Sequence, residues 1–294
     1  MLYSRRIGAA ELFQITEFTG PTHDAAWMLP GLSRETLDAH AAWLNPGFWL
    51  PHTNRLIFTM QLFVLKMSDR IIVVDTGVGN HKSRRADSQN MLNTPMFDWL
   101  EGIGAEPDKV THVVQTHLHG DHVGWNTHVV DGRWEPFFPN ATYYFPATDF
   151  AVFKSRYESG ERDLYGRPFA DSVLPIVETA STRLVRDGDT IADCLVAQAA
   201  PGHTEGQLVY SLRLTGEPEY IFSADVLHSP MQVFVPEINS RWCELPEAAS
   251  KTRRALLHHA AKNAAILLPA HAAGLGGWHI VGQGDGFLVQ LPDG

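Results

Sequence analysis

Cysteine is nearly absent. Two residues in 294, Cys194 and Cys243, cannot build a disulfide framework, and neither sits in a CxxC pair. The simplest reading is a reducing compartment or indifference to redox, with both thiols in the core. Positive charge is also scarce, since 23 Lys and Arg face 33 Asp and Glu for a formal net charge of −10. A nucleic-acid surface needs clustered cations that release counterions from phosphate, and the pairs Arg84-Arg85 and Arg253-Arg254 are too short to supply one. Long apolar runs are missing as well. Residues 1–11 lack the continuous apolar stretch of a secretory signal, and no later run approaches the roughly 18 residues of a membrane span. The expectation is a soluble, cytoplasmic protein that binds neither nucleic acid nor membrane. With no low-complexity linker and no repeat at a solenoid period, one domain over residues 1–294 is the economical organisation.

What is present is an ordinary globular composition, 44% hydrophobic, ample for a sizeable core. Leu56–Met67 and Ile71–Asp75 are β-like runs joined by Ser68-Asp69-Arg70, which predicts a hairpin. Thr94–Gly102 is helical in pattern, and Val110–Gln115 is a short β-branched run. Thr142–Phe145 reads as a strand followed by a helix over Ala147–Tyr157. Cys194–Ala199, Gln207–Leu214 and Tyr220–Ser223 read as three more strands. Glu244–Ala261 is the longest helical pattern, and Ala265–Leu268 reads as a buried strand. The segment Pro21–Pro51 stands apart, with Trp27, Trp43, Phe48 and Trp49 around an expected helix Ser33–Leu44. It reads as an insertion that covers a pocket, forms a homodimer contact, or packs onto the core.

Fifteen histidines are a high count, but the number decides nothing, because pairs such as His258-His259 suit a solvated helix face. Position is more informative. Residues 116–122 read Thr-His-Leu-His-Gly-Asp-His directly after the β-branched run. That puts His117, His119, Asp121 and His122 on a loop at a strand end, where side chains can diverge toward two neighbouring centres. Imidazole and carboxylate suit Zn²⁺, with Fe, Mn or Co also acceptable. Three more potential ligands follow in similar settings: His203 in Pro-Gly-His-Thr-Glu-Gly, Asp225 after Tyr-Ile-Phe-Ser-Ala, and His271 after Leu-Leu-Pro-Ala. Taken singly, each also fits a capping or hydrogen-bonded core residue. Seven such groups match the needs of two adjacent divalent ions sharing one carboxylate.

On these motifs the sequence resembles the metallo-β-lactamase-fold hydrolases from about Leu56 to Ile280. The resemblance implies an α/β fold, a four-layer αββα sandwich with two mixed sheets and a site at the strand ends along one edge. It implies one metal at His117, His119 and His203, a second at Asp121, His122 and His271, and Asp225 bridging both. Asp75, in Val-Val-Asp-Thr-Gly, matches a buried aspartate that orients the ligand loop. Gly-Asp-His-Val-Gly, Ala-Asp-Val-Leu-His228 and Leu-Pro-Ala-His271 are most similar to the methyl-parathion-hydrolase-like and acyl-homoserine-lactone-lactonase branch. Two positions depart from it. His228 stands where quorum-quenching lactonases often carry a tyrosine, which weakens the expectation of homoserine-lactone specificity, and Trp125-Asn126 replaces a small Gly-Gly at the expected pocket edge.

The expected chemistry is attack by a metal-bridging hydroxide on a carbonyl or phosphoryl centre, with Asp225 holding the bridge and accepting a proton. His228 is expected either to hydrogen-bond the leaving group or oxyanion, or to serve in packing. Trp125, Trp134, Phe137, Phe138 and Tyr143 suggest an apolar pocket for a hydrophobic lactone, ester or aryl phosphotriester. Other readings are a glyoxalase II-like thioesterase, an iron-dependent oxygenase of the same fold, and a ligand-binding module without catalysis. The thioesterase needs cationic groups for its substrate's carboxylates, and the sequence alone identifies none.

Overall fold

Alternation of apolar side chains along the strands explains the layering. The computed structural model describes residues 2–161, 166–272 and 276–291. In chain order the strands of its first half are β1 (Leu2–Ile7), β2 (Ala10–Asp24), β3 (Trp49–Leu50), β4 (Arg55–Lys66), β5 (Ile71–Val74) and β6 (His112–Val114). A separate ribbon, β7 (Thr127–Val130) with β8 (Arg133–Pro136), precedes β9 (Thr142–Pro146) and β10 (Ser181–Val185). The second half holds β11 (Thr190–Ile191), β12 (Leu195–Ala199), β13 (Leu208–Leu212) and β14 (Tyr220–Ala224). It ends with β15 (Ile266–Pro269), β16 (Trp278–Gln283) and β17 (Gly286–Gln290).

The first sheet runs β1-β2-β4-β5-β6-β9-β10, with β3 paired to β4, and the second runs β11 through β17 in order. Both are mixed. Strands β5, β6, β9 and β10 are mutually parallel, and β14–β15 is the parallel pair in an otherwise antiparallel second sheet. Ile72, Val74 and Val114 face the second sheet, meeting Tyr210, Phe222 and Leu268. Their neighbours Val73 and Val113 point the other way, against Leu100 of helix Met96–Gly102 and Phe153 of helix Ala147–Glu158. Val209, Ile221 and Leu267 on the far face of the second sheet are covered by helix Pro246–Asn263 and by residues 25–49. The result is helices, sheet, sheet, helices, the αββα sandwich. Each fully buried Leu or Phe in these layers contributes about 1.5–3 kcal/mol over its exposed state.

Helix Pro246–Asn263 starts on proline and stops at Ala264, in left-handed backbone with φ 51°. Ala249, Arg253, Leu256, Leu257 and Ala260 form its buried face at helical spacing. The hairpin β4–β5 matches expectation, with Met67 N donating to Arg70 O at 2.9 Å across its turn.

The segment Pro21–Pro51 differs from expectation. Pro21 to Asp24 complete the long strand β2, so the segment is continuous with the first sheet. The single helix expected over Ser33–Leu44 is two, Arg34–Ala39 and Ala41–Leu44. Ser33 caps the first by accepting from Thr36 N at 3.1 Å, and the break falls at His40, whose ring stacks on Phe234 with centroids 4.3 Å apart. Phe48 and Trp49 are buried in the outer core, whereas Trp27 is 44% exposed. Strand β2 is hidden in the sequence because the buried polar residues Gln14 and Glu17 interrupt its apolar alternation, and β1, β16 and β17 because they are short and only partly buried. Among the described residues no helix is long and apolar enough to cross a membrane.

Candidate metal centre

Two pairs of parallel strands set the frame. Strand β5 lies beside β6, so Asp75 at the end of one adjoins the loop that follows the other. Asp75 accepts from Thr116 N and Thr116 Oγ1, both at 2.8 Å, and from His122 Nδ1 at 2.8 Å. The loop is thereby folded back on the strand end from which it springs. Strand β14 lies beside β15, and the pairing of Ala224 with Pro269 brings Asp225 and His271 into contact, with His271 Nε2 3.1 Å from Asp225 Oδ2. Asp75 and Ala224 both adopt left-handed backbone, φ 55° and 47°, which breaks each strand sharply at its ligand-bearing end.

His203 is delivered differently, by the turn between β12 and β13. Gly202 has φ 141°, and a Cβ on Gly206 would sit 2.3 Å from Asp149 N, so the turn needs glycine at both places. Asp149, in the first turn of helix Ala147–Glu158, holds this turn by accepting from Thr204 Oγ1 at 2.8 Å and Gly206 N at 2.7 Å. Burial raises its carboxyl pKa to about 6, against those two hydrogen bonds.

The structure brings together all seven predicted ligands. His119 Nδ1 is 2.8 Å from His203 Nε2 and 3.1 Å from His117 Nε2. On the other side His122 Nε2 is 3.1 Å from His271 Nε2, which is 3.6 Å from Asp121 Oδ2. Asp225 lies between, with His122 Nε2 at 3.2 Å and His203 Nε2 at 3.1 Å. His117, His119 and His203 form one group able to hold a metal ion, and Asp121, His122 and His271 another. Asp225 forms a third group with His117 and His122 and a fourth with His203 and His228, the further predicted residue, whose Nε2 is 3.2 Å from Asp225 Oδ2.

The donor chemistry fits a cation. His122 Nδ1 must carry the proton it gives to Asp75, and His271 Nδ1 the one it gives to Thr59 O at 2.9 Å. In the neutral rings both Nε2 atoms then present lone pairs to each other and to Asp225. Such convergence is unfavourable in a buried site and is relieved by a positive ion. The titration directions agree. Burial pushes His117 and His203 well below the ordinary imidazole value, lowers His119 to about 4, and lowers His228. For His122 and His271 burial is outweighed, chiefly by Asp225, so both are raised. Although buried, Asp225 is held well below the usual carboxylate range by His271, His122 and His203.

The cluster opens into a cavity of 720 Å³. Its wall corrects the expectation from sequence. Trp125, Phe137, Phe138 and Tyr143 lie in the core between the first sheet and its helices, and Trp134 packs under Lys82 Nζ at 3.8 Å. They follow the ligand loop in the chain, but the turn Gly124–Asn126 carries them behind it. Trp125 therefore forms no pocket edge; its Nε1 donates to Glu17 Oε1 at 2.7 Å. The aromatic wall consists instead of His23, Trp27, Phe58 and Trp242, with Phe58 stacked on His271 at 4.4 Å. Cys194 is in the core as expected, whereas Cys243 is only partly buried and lines the cavity.

Besides Asp149, three further supporting residues escaped the sequence reading. Glu17 accepts from Val78 N at 2.6 Å as well as from Trp125, tying the chain beyond Asp75 to the turn beyond His122, and burial raises its pKa. Gln61 Nε2 donates to Pro269 O at 2.6 Å, fixing the end of β15. Arg253 is fully buried and donates to Val226 O, Pro236 O and Ile238 O at 2.9, 2.6 and 2.9 Å, binding the chain after Asp225 to helix Pro246–Asn263. A carboxylate inside an apolar strand and an arginine on an apolar helix face are the signals that point to Glu17 and Arg253.

A four-layer sandwich with this histidine and aspartate cluster at the sheet edge defines a metal-dependent hydrolase. The chain belongs to the Metallo-beta-lactamase superfamily, whose profile matches residues 62–271. Among solved structures it is similar to the hydrolase AbOPH in the beta lactamase superfamily, at 20% identity and TM-score 0.77, covering 100% of this chain and 97% of that one. It is also similar to AidC, a dizinc quorum-quenching lactonase, at 17% identity and TM-score 0.79, covering 100% and 98%. A curated relative, the atrochrysone carboxyl ACP thioesterase of Passalora fulva, is 24% identical over 184 residues, 62% of this chain. The match spans 40% of that relative's length.

Proposed function

We propose that the protein is a dinuclear metallohydrolase that cleaves a hydrophobic ester, lactone or aryl phosphotriester. The observation that carries this reading is the pair of three-residue donor groups sharing Asp225 at the floor of a cavity with an aromatic wall. His117, His119 and His203 would hold one divalent ion and Asp121, His122 and His271 the other, with zinc first in order and iron, manganese or cobalt next. When bound, the ions supply a water nucleophile deprotonated near neutral pH and a Lewis acid for the substrate oxygen. The chain's own part is positional. Asp75 and Thr59 fix the tautomers of His122 and His271, and the Phe58 ring holds His271 from one face. Asp225 joins the two groups and accepts a proton, while His228, buried and in contact with Asp225, donates a hydrogen bond to the leaving group or oxyanion.

A thioester substrate is the second reading. The thioesterase relative supports it, and so do Arg85 and Arg241 at the cavity, the cationic groups that the sequence alone did not identify.

The test is a panel of lactones, aryl esters, thioesters and phosphotriesters assayed with protein of defined metal content. Turnover of at least one class is expected, with Asp225→Ala losing about a thousandfold or more together with bound metal. Hydrolysis of none, or full turnover and metal content in the variant, overturns the proposal. Redox-active iron with oxygen consumption would point to an oxygenase instead.

A further inference from the structure

The charge at the cavity mouth is out of keeping with a chain of net charge −10. Arg84, Arg85 and Arg241 all line the cavity. Arg84 is already engaged, its Nη1 and Nη2 donating to the two oxygens of Asp171 at 2.6 and 2.9 Å. The other two differ. Arg85 is exposed, and among the described residues it has no ion pair; Arg241 has none either and uses only Nε, which donates to Trp27 O at 2.9 Å. The carboxylates along the same cavity do not compensate them. Asp121 and Asp225 belong to the metal cluster, and Glu244 lies 3.5 Å from Arg156 Nη2.

Aromatic rings connect Arg241 to the cluster. The Arg241 guanidinium lies over Trp27 at 5.0 Å, and Trp27 meets Trp242 edge-on at 5.9 Å. Trp242 contacts Phe58 at 5.5 Å, and Phe58 stacks on His271. A molecule lying along this wall has one end at the metal donors and the other beside the Arg241 guanidinium, with Arg85 lining the same cavity, and such forks match carboxylate and phosphate geometry.

We infer that the pocket selects substrates carrying an anionic group, carboxylate or phosphate, remote from the scissile bond. Arg85 and Arg241 hold that group, and an apolar body lies on the Trp27, Phe58 and Trp242 wall. The inference rests on the hydrolase reading for its substrate, but the anion site can be tested separately.

The experiment compares matched esters, 4-acetoxybenzoate against 4-acetoxybenzamide, with 4-acetoxyphenyl phosphate as a third arm, on the metal-loaded protein. The ratio of kcat/KM for carboxylate over amide is expected to reach about tenfold at low salt and to fall toward one in 0.5 M salt, where screening is short-ranged. It should also fall toward one in the Arg85→Gln/Arg241→Gln double variant. Preference for either anionic ester over the amide supports the inference, and the larger one identifies the anion. A ratio near one in the unaltered protein, or a ratio retained in the double variant, overturns it. If that variant fails to fold, Arg85→Gln alone carries the test, since Arg85 is exposed and its side chain has no hydrogen bond or ion pair among the described residues. Tryptophan fluorescence titration with terephthalamate and terephthalamide reads the same site without turnover. If no ester is cleaved, the hydrolase reading fails, while tighter terephthalamate binding that depends on Arg85 and Arg241 still supports the anion site.

Discussion

The two sides of the metal cluster are built to different standards. On the Asp121, His122 and His271 side, each imidazole donates its distal N–H to a fixed acceptor, Asp75 for one and Thr59 O for the other. That side also contains a carboxylate of its own. On the His117, His119 and His203 side all three donors are imidazoles, and among the described residues His117 Nδ1 meets only the Thr116 hydroxyl at 3.1 Å and His203 Nδ1 is buried without a hydrogen-bond partner. Here order comes from the backbone of the ligand turns, which Asp149 and the two glycines shape. One side is organised by charge and the other by loop geometry, so they should fail in different ways.

The largest expected effect concerns the loop-organised side. Because Asp149 titrates near 6 in the folded protein and near 3.8 when free, the native state binds the extra proton between those values. Stability from this group is therefore greatest below about pH 4 and falls by at most about 3 kcal/mol as pH rises through 6. Asp149→Asn should remove that fall, so denaturation curves of the two proteins should converge at low pH and separate above pH 6. Equal pH slopes would break the comparison. Next comes Asp75→Asn, which leaves His122 without its carboxylate partner and should cost about 10–100-fold in metal affinity, more on the charge-organised side than on the other, which Asp75 reaches only through Thr116. The readout is metal content after dialysis, and equal loss from both sides counts against it. The smallest effect is in the unaltered protein, where chelator titration should remove metal in two steps separated by about tenfold, the His117, His119 and His203 side releasing first. A single step, or no change when Asp75 is replaced, would show the two sides to be equivalent.

Both sides of the cluster were legible in sequence. His117, His119, Asp121 and His122 lie within one loop, and Asp225 and His271 each end an apolar strand, so spacing and strand pattern exposed them. The scaffold strands β4, β5, β6, β9 and β12 to β15 were legible for the same reason, being apolar on both faces. Asp149, Glu17 and Arg253 were not, because a single buried polar residue has no period and its partner lies far along the chain. The cavity wall was misread through a confusion of chain distance with spatial distance. Trp125 and Phe137 are near the ligand loop in sequence yet behind it in space, whereas Trp27 and Trp242 are far from it in sequence and face the opening.

The shared site has a consequence for how the protein is made. His117, His119, Asp121 and His122 come from the first sheet, and His203, Asp225 and His271 from the second, so neither proposed donor triad is complete within one sheet. A chain emerging from the ribosome already exposes four of the seven donors by residue 122, and the His117, His119 and His203 triad is fully synthesised by residue 203, but the Asp121, His122 and His271 triad has no finished cradle until β15 and His271 have been made and the two sheets have docked. Loading of the second ion is thereby deferred to the end of translation, and a protein stalled or truncated before that point is left with one triad open.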